Sequence, residues 1–244
     1  LLGGEGADEL FLGYRRYRAL QRLPRLPWLA RWTRRLHPWS MRAGARLARA
    51  VTAPNPIRAL LAVTPPAFGR EVLAGPLADA PCWRDAEPLR QARSSRARAG
   101  RDDDLAHYLP RDLLPKLDVA LLAAGVEGRC PYLEAGIEAF GADLSALGKR
   151  PLRAAFAARL PSAVKRLPKR GFSLPLDAWF RGELDALDVL AEQRARRRPH
   201  LRPDGRARAV DQHRPRRSDL GHGLYLLYAY ELHLRDEEQR RGAG

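Results

Sequence analysis

Leu10, Phe11, Tyr14 and Tyr17 fall on one stripe of a 3.6-residue period with arginines opposite, which predicts an amphipathic helix from about Ala7 to Leu20. Leu1 and Leu2 read as the end of a buried strand, joined to that helix by a glycine turn. Pro24 and Pro27 end the helix, because proline lacks the amide proton and its ring collides with the preceding turn. Trp28, Leu29, Trp32, Leu36 and Trp39 recur among arginines and predict a second amphipathic helix over residues 28–50. Its tryptophans are expected to pack on a neighbouring helix rather than to stack on bases. TAPNPIRALLAVTPPAFGREVLAG reads as loop, short helix, turn and helix, punctuated by Pro54, Pro56, Pro65 and Pro66. EPLRQARSSRARAGR is a basic connection with few apolar residues, followed by a better-packed block from Asp102 to Leu147. Asp102 to Asp104 suit the start of a helix there, since negative charge favours the positive end of the helix dipole. Residues 151–185 hold a further helix and the loop RLPKRGFSLPLDAWF, and GLYLLYAYELHLRDEEQRR reads as a closing helix. Between them, residues 193–219 are rich in arginine and proline and are expected to form a mobile basic segment. Helix dominates, there is no internal repeat, and only the first residues suggest sheet.

Composition changes this picture little. The 244 residues can bury a substantial core, and 45% hydrophobic residues exclude wholesale disorder. The net charge of +16 suits a polyanionic partner. Lysine, however, stands only at positions 116, 149, 165 and 169, and arginine supplies the remainder, the pattern of a GC-rich genome. The basic residues also spread over the chain, so a nucleic-acid-binding module is the lesser reading and nucleic acid is not the expected partner. Cys82 and Cys130 match no metal spacing and read as thiols in a reducing compartment. No apolar run approaches the roughly 20 residues of a membrane span, and the first residues lack the features of a signal peptide. A cytoplasmic location without membrane association is expected.

The candidate chemistry concentrates in GGEGADE. Gly3, Gly4 and Gly6 let backbone N–H groups approach a ligand, and a helix beginning near Ala7 would point its positive end at it, as in a phosphate cradle. Glu5 and Asp8 add oxygens that could hold Mg²⁺ against phosphates. The stretch is neither a P-loop nor a dinucleotide fingerprint, whose third glycine would stand at Glu9. On pattern alone, a strand-to-helix turn with an aspartate cap is an equal reading. The six histidines sit singly, so none is assigned to a metal.

Four stretches, in order and over nearly the whole chain, resemble the glutamine-dependent asparagine synthetase family. GGEGADELFLGYRRY is similar to its SGEGADE-L-F-x-G-Y segment, and YLPRDLLPKLDVALLAAGVEGRCPYLE to its YL-x-x-DLL-x-K-x-D-R-x-x-M-x-x-G-x-E-x-R-x-P-F-L-D stretch. LPKRGFSLPLDAWFRGEL resembles the P-K-x-GF-x-x-P-x-x-x-W-x-x-G segment, and GLYLLYAYELHL the terminal L-W-x-L-x-x-L-E-x-W helix.

The resemblance implies an α/β fold of the ATP-pyrophosphatase, adenine nucleotide alpha hydrolase-like type. Residues 1–244 would be the C-terminal part of a synthetase domain, mainly α-helical with a residual strand at the N-terminus. It implies activation of aspartate by ATP and Mg²⁺ to β-aspartyl-AMP, which ammonia released from glutamine then attacks. Gly3, Gly4 and Gly6 would belong to the ATP-contacting turn, Glu5 would assist adenylate formation and ammonia attack, and Asp8 would hold Mg²⁺. Lys169 would reach the phosphates; without the resemblance it is a solvated loop charge. Glu127 and Arg129 read as a structural ion pair rather than direct ligands, and Asp118 either serves the site or acts as a cap or a partner of Lys116. The family's SGG-x-DS pyrophosphate loop and its glutaminase domain are absent from these residues. The strand at Leu1 and Leu2 is therefore expected to fray, and the chain alone is expected not to make asparagine. Departures from the family pattern include Gly3 for serine, Leu12 for glycine, Val119 for arginine, Leu121 and Leu122 in place of a small polar residue and methionine, and Cys130 for valine. They leave open a relative that amidates or cyclises a different carboxylate.

Overall fold

Two short helices, Ala7–Leu10 and Arg15–Arg22, replace the single helix that the stripe predicts. The structure, a computed structural model, describes residues 1–35, 39–40, 43–78, 87–89, 95–137, 148–167, 174–183, 186–192, 195, 197–213 and 219–242. They divide into two compact units, Leu1–Pro27 with Glu87–Arg170, and Trp28–Ala86 with Gly171–Gly244.

In the first unit the break falls at Leu12, whose φ of 49° is left-handed. The carbonyls of Phe11 and Leu12 accept from the backbone N–H groups of Lys149 (3.0 Å) and Gly148 (2.8 Å), so a distant segment ends the helix. The apolar stripe survives, because Leu10, Phe11, Tyr17 and Leu20 are all buried. Ahead of the turn, Arg129 N–H donates to the Leu1 carbonyl and Gly3 N–H to the Arg129 carbonyl, both at 2.8 Å. Leu2 thus makes a parallel bridge to Arg129, and the expected fraying is corrected: this strand end has a partner. Among the described residues the only β pairing is this bridge and one between Leu73 and Leu201, so the unit is mainly helical as expected.

A continuous helical run begins after Ser95, whose hydroxyl accepts from Arg98 N–H at 3.3 Å. It is α-helical over Arg96–Asp103, widens to a π-helix over Asp104–Leu113 and returns to α over Leu114–Leu122. Pro110, which has no N–H and a bulky ring, lies in the widened part. Asp102, Asp103 and Asp104 therefore lie inside the run rather than at its start, where Ser95 takes the cap.

In the second unit Trp39, Phe68, Val72, Leu176, Phe180, Leu190 and Leu224 belong to one buried cluster. Residues 28–50 are not one helix: Pro27–Arg34 is a 3₁₀ helix and Ala43–Thr52 an α-helix. Trp39 is buried edge-to-face on Phe68 at 5.4 Å, as the packing reading expects, whereas Trp28 and Trp32 are each 47% exposed. Within residues 193–219, one described stretch is ordered in place of the expected mobile basic segment. Pro203–His213 is a helix with Gly205, Arg206, Ala209 and His213 buried. Its Gly205 passes so close to the Glu71 carbonyl that no Cβ fits. Arginine content suggested solvation there, but one small-residue face packs.

The closing helix Gly221–Gly242 buries Glu231 completely. Its carboxylate accepts from Arg198 Nε (2.8 Å) and Nη2 (3.0 Å) and from Arg235 Nε (2.8 Å). Burial raises the Glu231 carboxyl, but the hydrogen bonds and charges of the two arginines outweigh it and hold the group below the usual glutamate range. Both arginines keep a second carboxylate, Glu238 and Glu192. Glu231→Gln is therefore expected to cost about 2 kcal/mol at neutral pH, less than an isolated buried pair. A depressed carboxyl stabilises the fold above the unfolded value, and the contribution disappears as pH falls through the folded one. Urea unfolding should thus separate the variant from the parent at pH 7 and bring the two together as pH falls below the usual glutamate range; equal midpoints at pH 7 would refute the triad's contribution.

Candidate functional site

The opening turn is built by one left-handed glycine. Gly6 has φ 87° and ψ −23°, and Ala7–Leu10 starts immediately after it. A Cβ at Gly6 would collide with Leu133, so both conformation and space require glycine. At Gly4 a Cβ would meet nothing within 4 Å, which leaves one side of the turn open. Gly3 lies against Leu117 and Cys130, 3.3 Å and 3.7 Å from where its Cβ would be.

The three acids of GGEGADE separate. Glu5 is half-buried, and its charge acts with burial to push the free thiol of Cys130 up. Asp8 is partly exposed, and its Oδ2 lies 3.1 Å from Lys149 Nζ. Glu9 turns inward, is buried and accepts from the Tyr14 hydroxyl at 2.8 Å; burial pushes its carboxyl up. Arg16 stacks over the Tyr14 ring at 3.6 Å and reaches Asp104, which also accepts from the Tyr17 hydroxyl at 2.7 Å. This buried network ties Arg15–Arg22 to the long helical run and so anchors the helix on the far side of the turn.

Beside Gly3 lies a cavity of about 410 Å³, lined by Leu114, Leu117, Gly128 and Cys130 with the prolines at 110 and 115. Asp118 is the charged residue among the described lining, and it stands inside Leu114–Leu122, where it caps no helix. Glu127 and Arg129 pair at 2.7 Å, as expected, but both are more than 70% exposed, so the pair contributes little.

Of the sequence-predicted site residues, Gly3, Gly4, Glu5, Gly6 and Asp8 share this turn. Lys169 lies outside the described residues. Periodicity and motif reading missed Lys149 and Gly13. A Cβ at Gly13 would collide with Asp8 Oδ1 and lie 2.7 Å from Lys149 Cε. One signal was available: with four lysines among 44 basic residues, each lysine is a departure from the chain's own habit. Among the described residues no group of three or more His, Cys, Asp or Glu could hold a metal alone. Among them, too, no helix is long and apolar enough to cross a membrane.

The asparagine synthase family matches residues 1–235. Three curated relatives, one from Mycobacterium bovis and two from strains of Mycobacterium tuberculosis, carry the provisional name asparagine synthetase (glutamine-hydrolyzing). Each is 30% identical over 213 residues, a match covering 75% of this chain and 31% of the relative. The chain therefore spans under a third of their length. No solved structure gives a significant match.

Proposed function

The chain belongs to the asparagine synthase family, and on that premise we propose that it is the C-terminal part of the synthetase domain of an ATP-dependent amidating ligase. The supporting observation is the turn at residues 3–8. A left-handed glycine and an open Gly4 face leave the backbone accessible, with Glu5 and Asp8 on either side of Gly6. The proposed fold of the whole domain is the α/β ATP-pyrophosphatase type, of which these residues supply the helical part.

In the proposed reaction a carboxylate oxygen of aspartate attacks the α-phosphorus of ATP, and the bond to pyrophosphate breaks. Ammonia derived from glutamine then attacks the acyl carbon of β-aspartyl-AMP, and AMP leaves. Glu5 takes the proton that the attacking nitrogen loses, a role a carboxylate fills when held within hydrogen-bond reach. Gly4 and Gly6 bind phosphate oxygens through backbone N–H groups, Gly3 N–H being held by the Arg129 carbonyl as the anchor of the turn, and Lys169 adds positive charge. Asp8 fits Mg²⁺ as a single carboxylate, since magnesium takes one or two carboxylates together with substrate phosphates. The ion, when bound, neutralises charge on the triphosphate.

The cavity beside Gly3 favours a second reading. Among the described residues its lining is apolar apart from Asp118, and none of them is a cation that could hold the carboxylates of aspartate. That suits a family member that amidates or cyclises another carboxylate. Pyrophosphate release by the complete enzyme, measured with aspartate and with other carboxylates, separates the two. Under either, Glu5→Gln is expected to slow amide formation on the order of a hundredfold. Unchanged turnover in that variant would remove Glu5 from the reaction.

A further inference from the structure

Among the described residues two that are not glycine have positive φ, Leu12 at 49° and Lys149 at 59°. Such conformations persist only where surrounding contacts impose them, and they gather at functional sites. Here they meet. Gly148, itself at φ 84°, donates to the Leu12 carbonyl, and Lys149 donates to the Phe11 carbonyl. Gly13 N–H closes the end of the short helix on the Asp8 carbonyl at 2.7 Å. The same corner delivers the Lys149 ammonium to Asp8 Oδ2 at 3.1 Å, with the Asp8 carboxylate lying over Gly13 where a side chain would stand. The ammonium and carboxylate are about three-quarters shielded from solvent, at 28% and 24% exposure.

We propose that Lys149 is a positioning residue of the nucleotide site, fixing the direction of the Asp8 carboxylate. This rests on the reading of residues 3–8 as the nucleotide turn. A ligating carboxylate is aimed by the group that holds its other side, and for Asp8 that partner is the Lys149 ammonium. Loss of such a partner typically weakens metal binding by about 10–100-fold. Lys149→Met removes the charge and keeps the stem. Gly13→Ala intrudes on the Asp8 carboxylate and on the Lys149 stem while keeping the lysine's charge, which provides a second variant should the first fold poorly.

Two measurements on the complete protein decide it. By hydrogen exchange, the amides of Gly13, Gly148 and Lys149 should open about tenfold faster in Lys149→Met, while Arg15–Arg22 and Arg96–Asp103 keep their protection. By calorimetry, the gain in ATP affinity on adding Mg²⁺ should fall about tenfold in both variants, with metal-free ATP binding unchanged. A Mg²⁺ gain equal to that of the parent, or exchange that rises equally everywhere, overturns the proposal. If the parent binds no ATP, the nucleotide reading of the turn falls, and the exchange measurement still decides whether Lys149 holds Asp8.

Discussion

Asp104→Ala is expected to destabilise the first unit by about 3–5 kcal/mol, a large part of the total stability of a domain. Asp104 is fully buried, and its Oδ2 accepts from Tyr17 at 2.7 Å and from Arg16 Nε at 3.0 Å. The Arg16 side chain is only 14% exposed and is enclosed by the rings of Tyr14 and Tyr108. Removing the carboxylate leaves a guanidinium in the interior without its counter-charge and a buried phenol without its acceptor. Neither group can reach water without opening the packing of Arg15–Arg22 on Arg96–Asp103. The double replacement Asp104→Leu with Arg16→Met should lie within about 1 kcal/mol of the parent, because both charges leave the interior together. Denaturant unfolding of the two variants checks this. A single variant that costs under about 1 kcal/mol would show that the network contributes little.

Gly6→Ala is expected to cost about 3 kcal/mol, from two separate sources. A left-handed backbone costs an L-residue about 1–2 kcal/mol, and Gly6 is at φ 87°. The new methyl group would also enter the space of Leu133, whose Cγ would lie 3.0 Å away, an overpacking of about 1–3 kcal/mol. Gly4→Ala is the matched control. Nothing stands within 4 Å of that position, so its stability should stay within about 0.5 kcal/mol of the parent. ATP affinity should nevertheless fall in Gly4→Ala, because the open side of the turn is where phosphate would approach. Thermal melts that give the two glycines equal costs would contradict the geometry of the turn.

Much of the site was readable as residue types. The glycines and acids of GGEGADE announce a tight turn into a helix, and the structure places a turn and a helix there. The helix break was hidden, because Leu10, Phe11, Tyr14 and Tyr17 keep one periodic stripe across two short helices. The bonds that hold Leu12 left-handed come from Gly148 and Lys149, which no local window contains. Asp102 to Asp104 misled for a related reason. Acids do favour helix starts, but Asp104 is held by a tertiary partner, Arg16, and the real start is Ser95 in a basic stretch. The helix Pro203–His213 was obscured by its arginines, although Gly205 and Ala209 supply the small packing face. The tryptophans at 28 and 32 carried no local sign that only Trp39 would be buried.

The parallel bridge between Leu2 and Arg129 also bears on when the site can come into being. The turn at residues 3–8 is held before it by Arg129 and behind it by Gly148 and Lys149. Both holds close very long loops, whose entropy must be met before any contact rewards it. On the ribosome, residues 3–8 emerge before the segments that hold them and wait. The turn acquires its geometry only after residue 149 has been made, so the opening segment is among the last parts of its unit to consolidate.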